Sequence, residues 1–338
     1  MRGLTYKSSG VDRARADAFK KRLKEIAHSS CGPEVLRGLG GFGGFFELAR
    51  HKFKEPVLVS SADGVGTKLK IAILADIHDS VGIDAVAMNV NDILCTGARP
   101  LFFLDYIAYS WLRDDVLLKI VAGVNRGCIE AGCALVGGET AQMPGMYKKG
   151  EYDLAGFCVG VVEKQNIITG SDIEPGNIVV GLASSGLHSN GFSLVRKVFG
   201  VRELQRMSKE LLRPTRIYVK PVVSLLDDKG ISKKRAIRGI AHITGGAFFD
   251  KIKRIIPDNV DVEIAKDSWP VPEIFKLIQN KGGVSDFEMY HTFNMGVGMV
   301  LIASYNKEKE LISYFSKFGL KAWVIGRVVS GKGRVVIK

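Results

Sequence analysis

The chain has 338 residues, roughly two domains' worth, and combines 46% hydrophobic and 25% charged residues with 39 glycines against 10 prolines. This composition excludes disorder, collagen and coiled coil as the main organisation, and its longest apolar run, Met295 to Ala303, falls well short of the ~20 residues of a membrane-crossing helix. Lys and Arg outnumber Asp and Glu by 48 to 35, a net charge of +13 that favours anionic partners; the densest runs, Lys20 to Lys24 and Lys233 to Arg238, read as solvated helix faces, which argues against nucleic acid.

In chain order, residues 12 to 27 form an amphipathic helix with Ala18, Phe19, Leu23 and Ile26 on one side. Its cations interrupt any apolar signal core, so a cytosolic protein without a leader is expected. Gly38-Leu-Gly-Gly-Phe-Gly-Gly44 is too rich in glycine for regular structure and reads as a loop. Pro56 to Ser61 is a short buried strand that ends in a turn at Asp63-Gly-Val-Gly-Thr-Lys68. A helix follows from Ser80 to Gly97, then a strand from Leu101 to Tyr109, a helix capped by Asp114 and running to Gly132, and strands Ala134 to Val136 and Leu154 to Val162. The polar stretch Thr169 to Gly176 marks a domain boundary, giving domains 1–170 and 171–338. Beyond it come a strand at 178–183, helices at 190–199 and 215–229, a strand near 240 and terminal strands at 297–303 and 322–329. Alternation of this kind implies an α/β (α+β) fold. Five cysteines without a C-x-x-C pair imply reduced thiols.

Gly38, Gly40 and Gly43 match a dinucleotide fingerprint with Asp63 twenty residues on, but the preceding residues 28 to 37 contain Pro33 and charges where a buried strand is required. A linker or a phosphate-covering lid fits better. No Walker sequence is present, since Gly66-Thr67-Lys68 has the order reversed. Nucleoside triphosphate chemistry would then need carboxylate-bound magnesium and glycine amides. Three acids suit that role by their apolar or glycine surroundings: Asp63, Asp92 in Asn89-Val-Asn-Asp92, and Glu139 in Gly137-Gly-Glu-Thr140. For any one of them, a helix cap or a lysine pair is the plainer explanation. Six histidines without H-E-x-x-H leave zinc hydrolysis unsupported, and a serine triad lacks its G-x-S-x-G elbow. In the second half, Ser184-Ser-Gly-Leu-His-Ser-Asn-Gly-Phe-Ser193 and His242-Ile-Thr-Gly-Gly246 gather hydroxyls, amides and imidazoles where strands meet helices, in places that suit an anion or a simple N-cap.

These stretches, with Tyr6 to Asp12, Pro100 to Tyr106, Gly137 to Gly145, Asp153 to Gly160, Arg213 to Lys220, Met289 to Asn294 and Gly296 to Met299, closely resemble the phosphoribosylformylglycinamidine cyclo-ligases, or aminoimidazole ribonucleotide synthetases. The resemblance covers nearly the whole chain. It implies two α/β domains, a homodimer whose N-terminal halves share a barrel beside the ATP site, and ATP-driven closure of an imidazole ring. It further implies Asp63, Asp92 and Glu139 on Mg2+ and triphosphate, Lys68 neutralising charge, and Gly40, Gly41, Gly43 and Gly44 as a phosphate cover. Gly64, Thr67, Asn91, Gly138 and Thr140 join the ATP site by the same likeness, with Lys24 and Lys7 as further candidates. Ser184, Ser185, His188, Asn190 and Gly191 are assigned to the substrate's ribose phosphate, and His242 and Thr244 to the same cleft. Two positions depart from the family pattern: Gln142 stands where Glu is expected, which implies either a position outside the first metal shell or a weaker hold on the metal, and Ala247 interrupts a run of glycines. Competing expectations are another ATP-dependent member of the superfamily, such as a selenophosphate synthetase or a thiamine-monophosphate kinase, or a basic RNA-binding module.

Overall fold

The computed structural model describes residues 13–228, 230 and 236–338, with the side chains of 13–20 outside that description. Lys7, the Tyr6 to Asp12 stretch, the Ala18 and Phe19 face and residues 233–235 of the Lys233 to Arg238 run therefore lie outside the described residues. In the first half, α1 (Arg13–His28) precedes a small antiparallel pair, β1 (Val35–Arg37) and β2 (Phe45–Phe46), which brackets the glycine segment. Then come β3 (Pro56–Gly64), α2 (Leu69–Ala75), α3 (Val81–Leu94), β4 (Arg99–Tyr109), α4 (Asp114–Ala131), β5 (Ala134–Gln142) and β6 (Tyr152–Glu163). The four longer strands make one sheet in the order β3-β6-β4-β5, with β4 and β5 parallel and the other pairs antiparallel.

Helix α3 lies on one face of this sheet, and α4 packs on α3 through glycines: a side chain at Gly82 would collide with the backbone of Ile120 and Val124. Buried apolar residues of α3 and α4, among them Val86, Val90, Ile120 and Val124, fill that layer, which is the main apolar core of the first half. The opposite face of the sheet carries Leu58, Tyr106 and Phe157, each more than 40% exposed. A row of large apolar side chains on a sheet face, left uncovered by the described residues, is unusual for an isolated chain.

The second half contains β7 (Ile178–Ala183), α5 (Phe192–Val198), α6 (Val201–Arg206), α7 (Ser208–Leu211), α8 (Val219–Asp227), β8 (Ile237–His242), α9 (Ala247–Lys253), β9 (Val260–Ile264), α10 (Glu273–Gly282), α11 (Asp286–Thr292), β10 (Val297–Ala303), α12 (Glu308–Ser316), β11 (Ala322–Ser330) and β12 (Val335–Ile337). Its six-stranded sheet runs β12-β9-β11-β7-β10-β8, antiparallel except for the β12–β9 pair. The mixed α/β class is as expected, and the strands at 178–183 and 297–303 fall where their unbroken apolar runs placed them.

Four expectations are corrected. Asp114 is the first helical residue of α4 and its cap position is Arg113, so the acid serves the first turn rather than capping it. The strand expected to stop at Val136 continues to Gln142, because β4 pairs with it through the whole Gly137 to Thr140 stretch. Helix α5 starts only at Phe192, after Gly191 has turned the chain at a φ of 79°. Helix α8 starts at Val219, since residues 213 to 218 are irregular and Thr215, Arg216 and Tyr218 bond to Asp84 and Asn91 of the other half instead. The five cysteines are free, as expected. Among the described residues no helix is long and apolar enough to cross a membrane.

Candidate functional site

The seam between the two sheets is polar and organised by α3. Asn91 lies buried on it, and its orientation is fixed at both ends: its Oδ1 accepts from the Tyr218 amide at 3.0 Å and its Nδ2 donates to the Arg216 carbonyl at 2.9 Å. The same amide nitrogen meets His242 Nε2 at 3.3 Å, so that ring nitrogen is the acceptor and the imidazole proton resides on Nδ1. His242 Nδ1 then donates to Asp92 Oδ1 at 2.8 Å. The His242 ring is buried, whereas the Asp92 side chain is 38% exposed, so the pair presents one carboxylate to the cleft with its imidazole held behind it.

Asp63 arrives at the same place from the end of β3. Its Oδ1 accepts the Gly64 amide at 2.7 Å. Burial raises its pKa, the Gly64 amide opposes that rise, and the Asp92 carboxylate nearby raises it further, while Lys251 and His242 act in the opposite sense. Two neighbouring carboxylates in a half-buried cleft suit a divalent cation bridging to phosphates, because Mg2+ commonly takes one or two carboxylates and completes its shell with water and phosphate oxygens. Lys251 on α9 is a cation near this pair that sequence reasoning passed over. Its one signal was its place five residues beyond Gly246.

Glu139 is not part of that pair. In the sheet register Asp63 faces Gly156, Gly156 faces Asp105 and Asp105 faces Gly138, so these four share one row and one face. Glu139 faces Tyr106, and the pleat puts it on the opposite, uncovered face. Three strand spacings of about 4.8 Å also separate its strand from β3, roughly 14 Å. Among the described residues no three His, Cys, Asp or Glu side chains form a metal-binding group. The expected three-acid cluster is thus corrected within one chain to a two-acid pair.

The shared row contains a further acid, Asp105, whose role the Pro100 to Tyr106 stretch does not reveal by itself. Asp105 is buried against Gly138, where any side chain would collide with its carboxylate. Burial pushes its pKa up to about 7, its own amide opposing and Glu139 adding to the rise.

The remaining candidates for the nucleotide divide between two places. At the β5 edge, the Lys24 ammonium lies against Gly40, whose φ is 111°, and Gly44 abuts Val136, a Cβ there coming within 2.9 Å of the valine. These contacts set the glycine segment, which includes Gly41 and Gly43, at the Val136 position of β5, the strand that continues to Gly138, Glu139 and Thr140. A cavity of about 620 Å³ lined by Lys24, Cys31, Arg37, Gly38 and Leu135 opens there. At the seam, Gly64 flanks Asp63. Thr67 faces the other half, its hydroxyl 3.1 Å from that of Ser193. Lys68 departs from expectation: its ammonium is fully buried, 2.9 Å from Asp84 and 2.7 Å from the Arg213 carbonyl, and has no surface left for a phosphate. Burial lowers its pKa and Asp84 opposes the change. Gln142 donates to the Ser110 carbonyl at 3.3 Å, at the far end of β5.

The substrate candidates form two facing turns. Ser184 Oγ donates to the Gly186 carbonyl and Ser185 Oγ to that of Pro214, so both hydroxyls brace the loop. His188, at a φ of 62°, is buried, with Nε2 accepting from the Ser185 amide at 3.2 Å. Its proton therefore sits on Nδ1, which has no partner among the described residues, and burial first, then His242, Lys68 and Arg216, hold its pKa well below the usual range. It stays neutral and internal, which corrects its assignment as a phosphate ligand. Asn190 Oδ1 reaches toward Gly245, so the turn before α5 and the turn from Thr244 to Gly246 face each other. Ala247 has a φ of 39°, in the left-handed region where glycine is favoured, and this gives a physical reason for the glycine expected there.

Fold and seam together define a two-domain α/β family with carboxylates and glycine turns at the junction. The chain matches the family models for AIR synthase related protein, N-terminal domain, over residues 50–162 and C-terminal domain over residues 174–338, and it belongs to that family. Within it, the chain is 52% identical to the phosphoribosylformylglycinamidine cyclo-ligase of Geobacter metallireducens, covering 97% of this chain and 95% of the relative. It is 51% identical to that of Pseudothermotoga lettingae, covering 99% and 100%. Among solved structures, the hydrogenase maturation protein HypE in complex with ATP is similar in fold, with a TM-score of 0.65 at 18% identity over 99% of this chain and 92% of that one.

Proposed function

We infer that the chain is an ATP-dependent phosphoribosylformylglycinamidine cyclo-ligase, an enzyme of de novo purine synthesis that closes formylglycinamidine ribonucleotide to 5-aminoimidazole ribonucleotide. The observation that carries this reading is half-identity over essentially the full length of relatives bearing that name. The ATP-bound state of HypE, a protein of similar fold, supports ATP as the co-substrate.

The chemistry explains why ATP is needed. An amide oxygen is a poor leaving group, so the formyl oxygen first takes the γ-phosphoryl group and ADP departs. A substrate nitrogen then attacks the resulting iminophosphate carbon, the C–O bond breaks, and phosphate leaves with the oxygen while a proton is lost from nitrogen. Little covalent work falls to the protein, and positioning and charge carry the catalysis.

Asp63 and Asp92 are assigned to a Mg2+ ion, which when bound would supply charge neutralisation for the triphosphate. His242 holds Asp92 in place through its Nδ1 proton and is itself aligned by Asn91. The Lys24 and Gly40 to Gly44 segment is assigned to the phosphates as a cover, with Gly138 and Thr140 beneath it. The facing turns of Ser184 to Gly191 and Thr244 to Gly246, through Asn190 and backbone amides rather than His188, are assigned to the ribonucleotide. Residues 1–170 and 171–338 act as the two domains, and the protein works in the cytosol.

A homodimer fits the uncovered sheet face of Leu58, Tyr106 and Phe157, which needs a partner and carries Glu139. Glu139 can then act across the interface. Sedimentation or light scattering should give a dimer, and Phe157→Asp should give monomers; a wild-type monomer refutes this part.

The functional test is direct. Purified protein given formylglycinamidine ribonucleotide, ATP and Mg2+ should form aminoimidazole and ADP in equal amounts. ATP-dependent phosphorylation of thiamine monophosphate with no aminoimidazole formed would replace this reading by the kinase alternative. Steeply salt-dependent RNA binding without nucleotide turnover would replace it by the nucleic-acid one.

A further inference from the structure

The buried Lys68 and Asp84 pair joins more than its two side chains. Asp84 sits in the first turn of α3, and one of its carboxylate oxygens accepts from Lys68 Nζ at 2.9 Å, the Thr215 amide at 2.7 Å, Thr215 Oγ1 at 2.6 Å and Ser189 Oγ at 3.1 Å. Lys68 also donates to the Arg213 carbonyl at 2.7 Å. Both side chains are wholly buried. Two residues of the first half thus hold two separate loops of the second, at Ser189 and at Arg213 to Thr215.

Those two loops build the wall facing the cleft. Ser185 Oγ donates to the Pro214 carbonyl at 2.5 Å, and His188 Nε2 accepts from the amides of Ser185 at 3.2 Å and Arg216 at 3.5 Å. The Arg216 carbonyl in turn holds Asn91. Asp84, Asn91 and Asp92 are spaced seven and eight residues apart, on one face of one helix. The polar seam therefore runs unbroken along α3 from the ion pair to the Asp92–His242 pair. Burying two charges is costly, and apolar residues of similar size would often pack as well, so a buried pair with this many cross-junction bonds is better placed to set registry than to add stability.

We propose that Lys68 and Asp84 are positioning residues: their ion pair sets the register of the Ser184 to Asn190 turn against α3, and so the geometry of the ribonucleotide wall, without touching substrate. This rests on the cyclo-ligase reading only for which ligand feels the change. The test uses the full-length Lys68→Met/Asp84→Asn double variant, which removes both charges and leaves neither orphaned. Hydrogen exchange should speed up at 184–190 and 213–216 while β6 stays protected. The KM for formylglycinamidine ribonucleotide should rise about tenfold or more, with the dissociation constant for ATP, measured by calorimetry, within about twofold of wild type. If the double variant does not fold, Thr215→Val, which deletes one donor, should give the same pattern at smaller size. Unchanged exchange in both segments and an unchanged KM in a folded variant overturn the proposal, as does an equal loss for ATP and ribonucleotide. If the wild-type protein makes no aminoimidazole, the functional reading fails, and the exchange result still decides the role of the pair.

Discussion

Helix α3 carries two aspartates about 12 Å apart along its axis, and they have opposite characters. Asp84 is wholly buried and faces a lysine, and one of its carboxylate oxygens accepts three bonds from the other half of the molecule. Asp92 is partly exposed, has one imidazole behind it and sits near a second carboxylate, Asp63, whose ionisation is opposed first by burial and then by Asp92. The first has satisfied its charge within the protein, and the second has charge left for a ligand. An acid on an apolar helix is therefore read by what already satisfies it rather than by its presence.

The largest effect expected from this contrast is on stability at the Asp84 end. Lys68→Met leaves the Asp84 carboxylate buried and unpaired and should cost about 3–5 kcal/mol in denaturant unfolding, with the double variant recovering much of that loss. A cost below about 1 kcal/mol would mean that water reaches Asp84 and that the two acids are alike in their access to solvent.

Next in size is Gly138→Ala, which drives a methyl group into Asp105 and should destabilise by about 1–3 kcal/mol. Asp105 itself sharpens the comparison through pH. Its folded pKa of about 7 lies above the ordinary value of 3.8, so its contribution to stability is fully present below about pH 4 and is lost as pH rises through 7. Asp105→Asn should therefore be more stable than wild type at pH 8 and lose that advantage at pH 4. Equal unfolding midpoints at both pH values would place the carboxyl in contact with solvent.

The smallest effect is expected at Ala247→Gly, which relieves a left-handed alanine and should stabilise by up to about 1 kcal/mol in thermal unfolding. Destabilisation there would mean the turn before α9 tolerates its alanine.

Much of the architecture was legible because apolar runs and glycine turns act locally. The strands at 178–183 and 297–303 are buried on both sides and show as unbroken apolar runs. Asp63 and Asp92 stood out by their neighbours, and the structure brings them together. Glu139 was misplaced because the side of a sheet a residue faces depends on register, and the irregularity between Phe103 and Leu104 resets the β4–β5 pairing. Lys68 and His188 look like ligands in a motif. Their burial is decided by Asp84, Thr215 and Arg216, residues far away in the chain. Asp84 went unread for the same reason, since only the loops from the second half reveal its partners.

The central claim, that the free acid at the end of α3 is the one that does chemistry, is tested most directly by Asp92→Asn assayed for Mg2+-dependent ADP release in the presence of formylglycinamidine ribonucleotide. Turnover should fall on the order of 10²-fold or more, with an unfolding midpoint close to that of wild type. Wild-type turnover in a folded Asp92→Asn protein would contradict it.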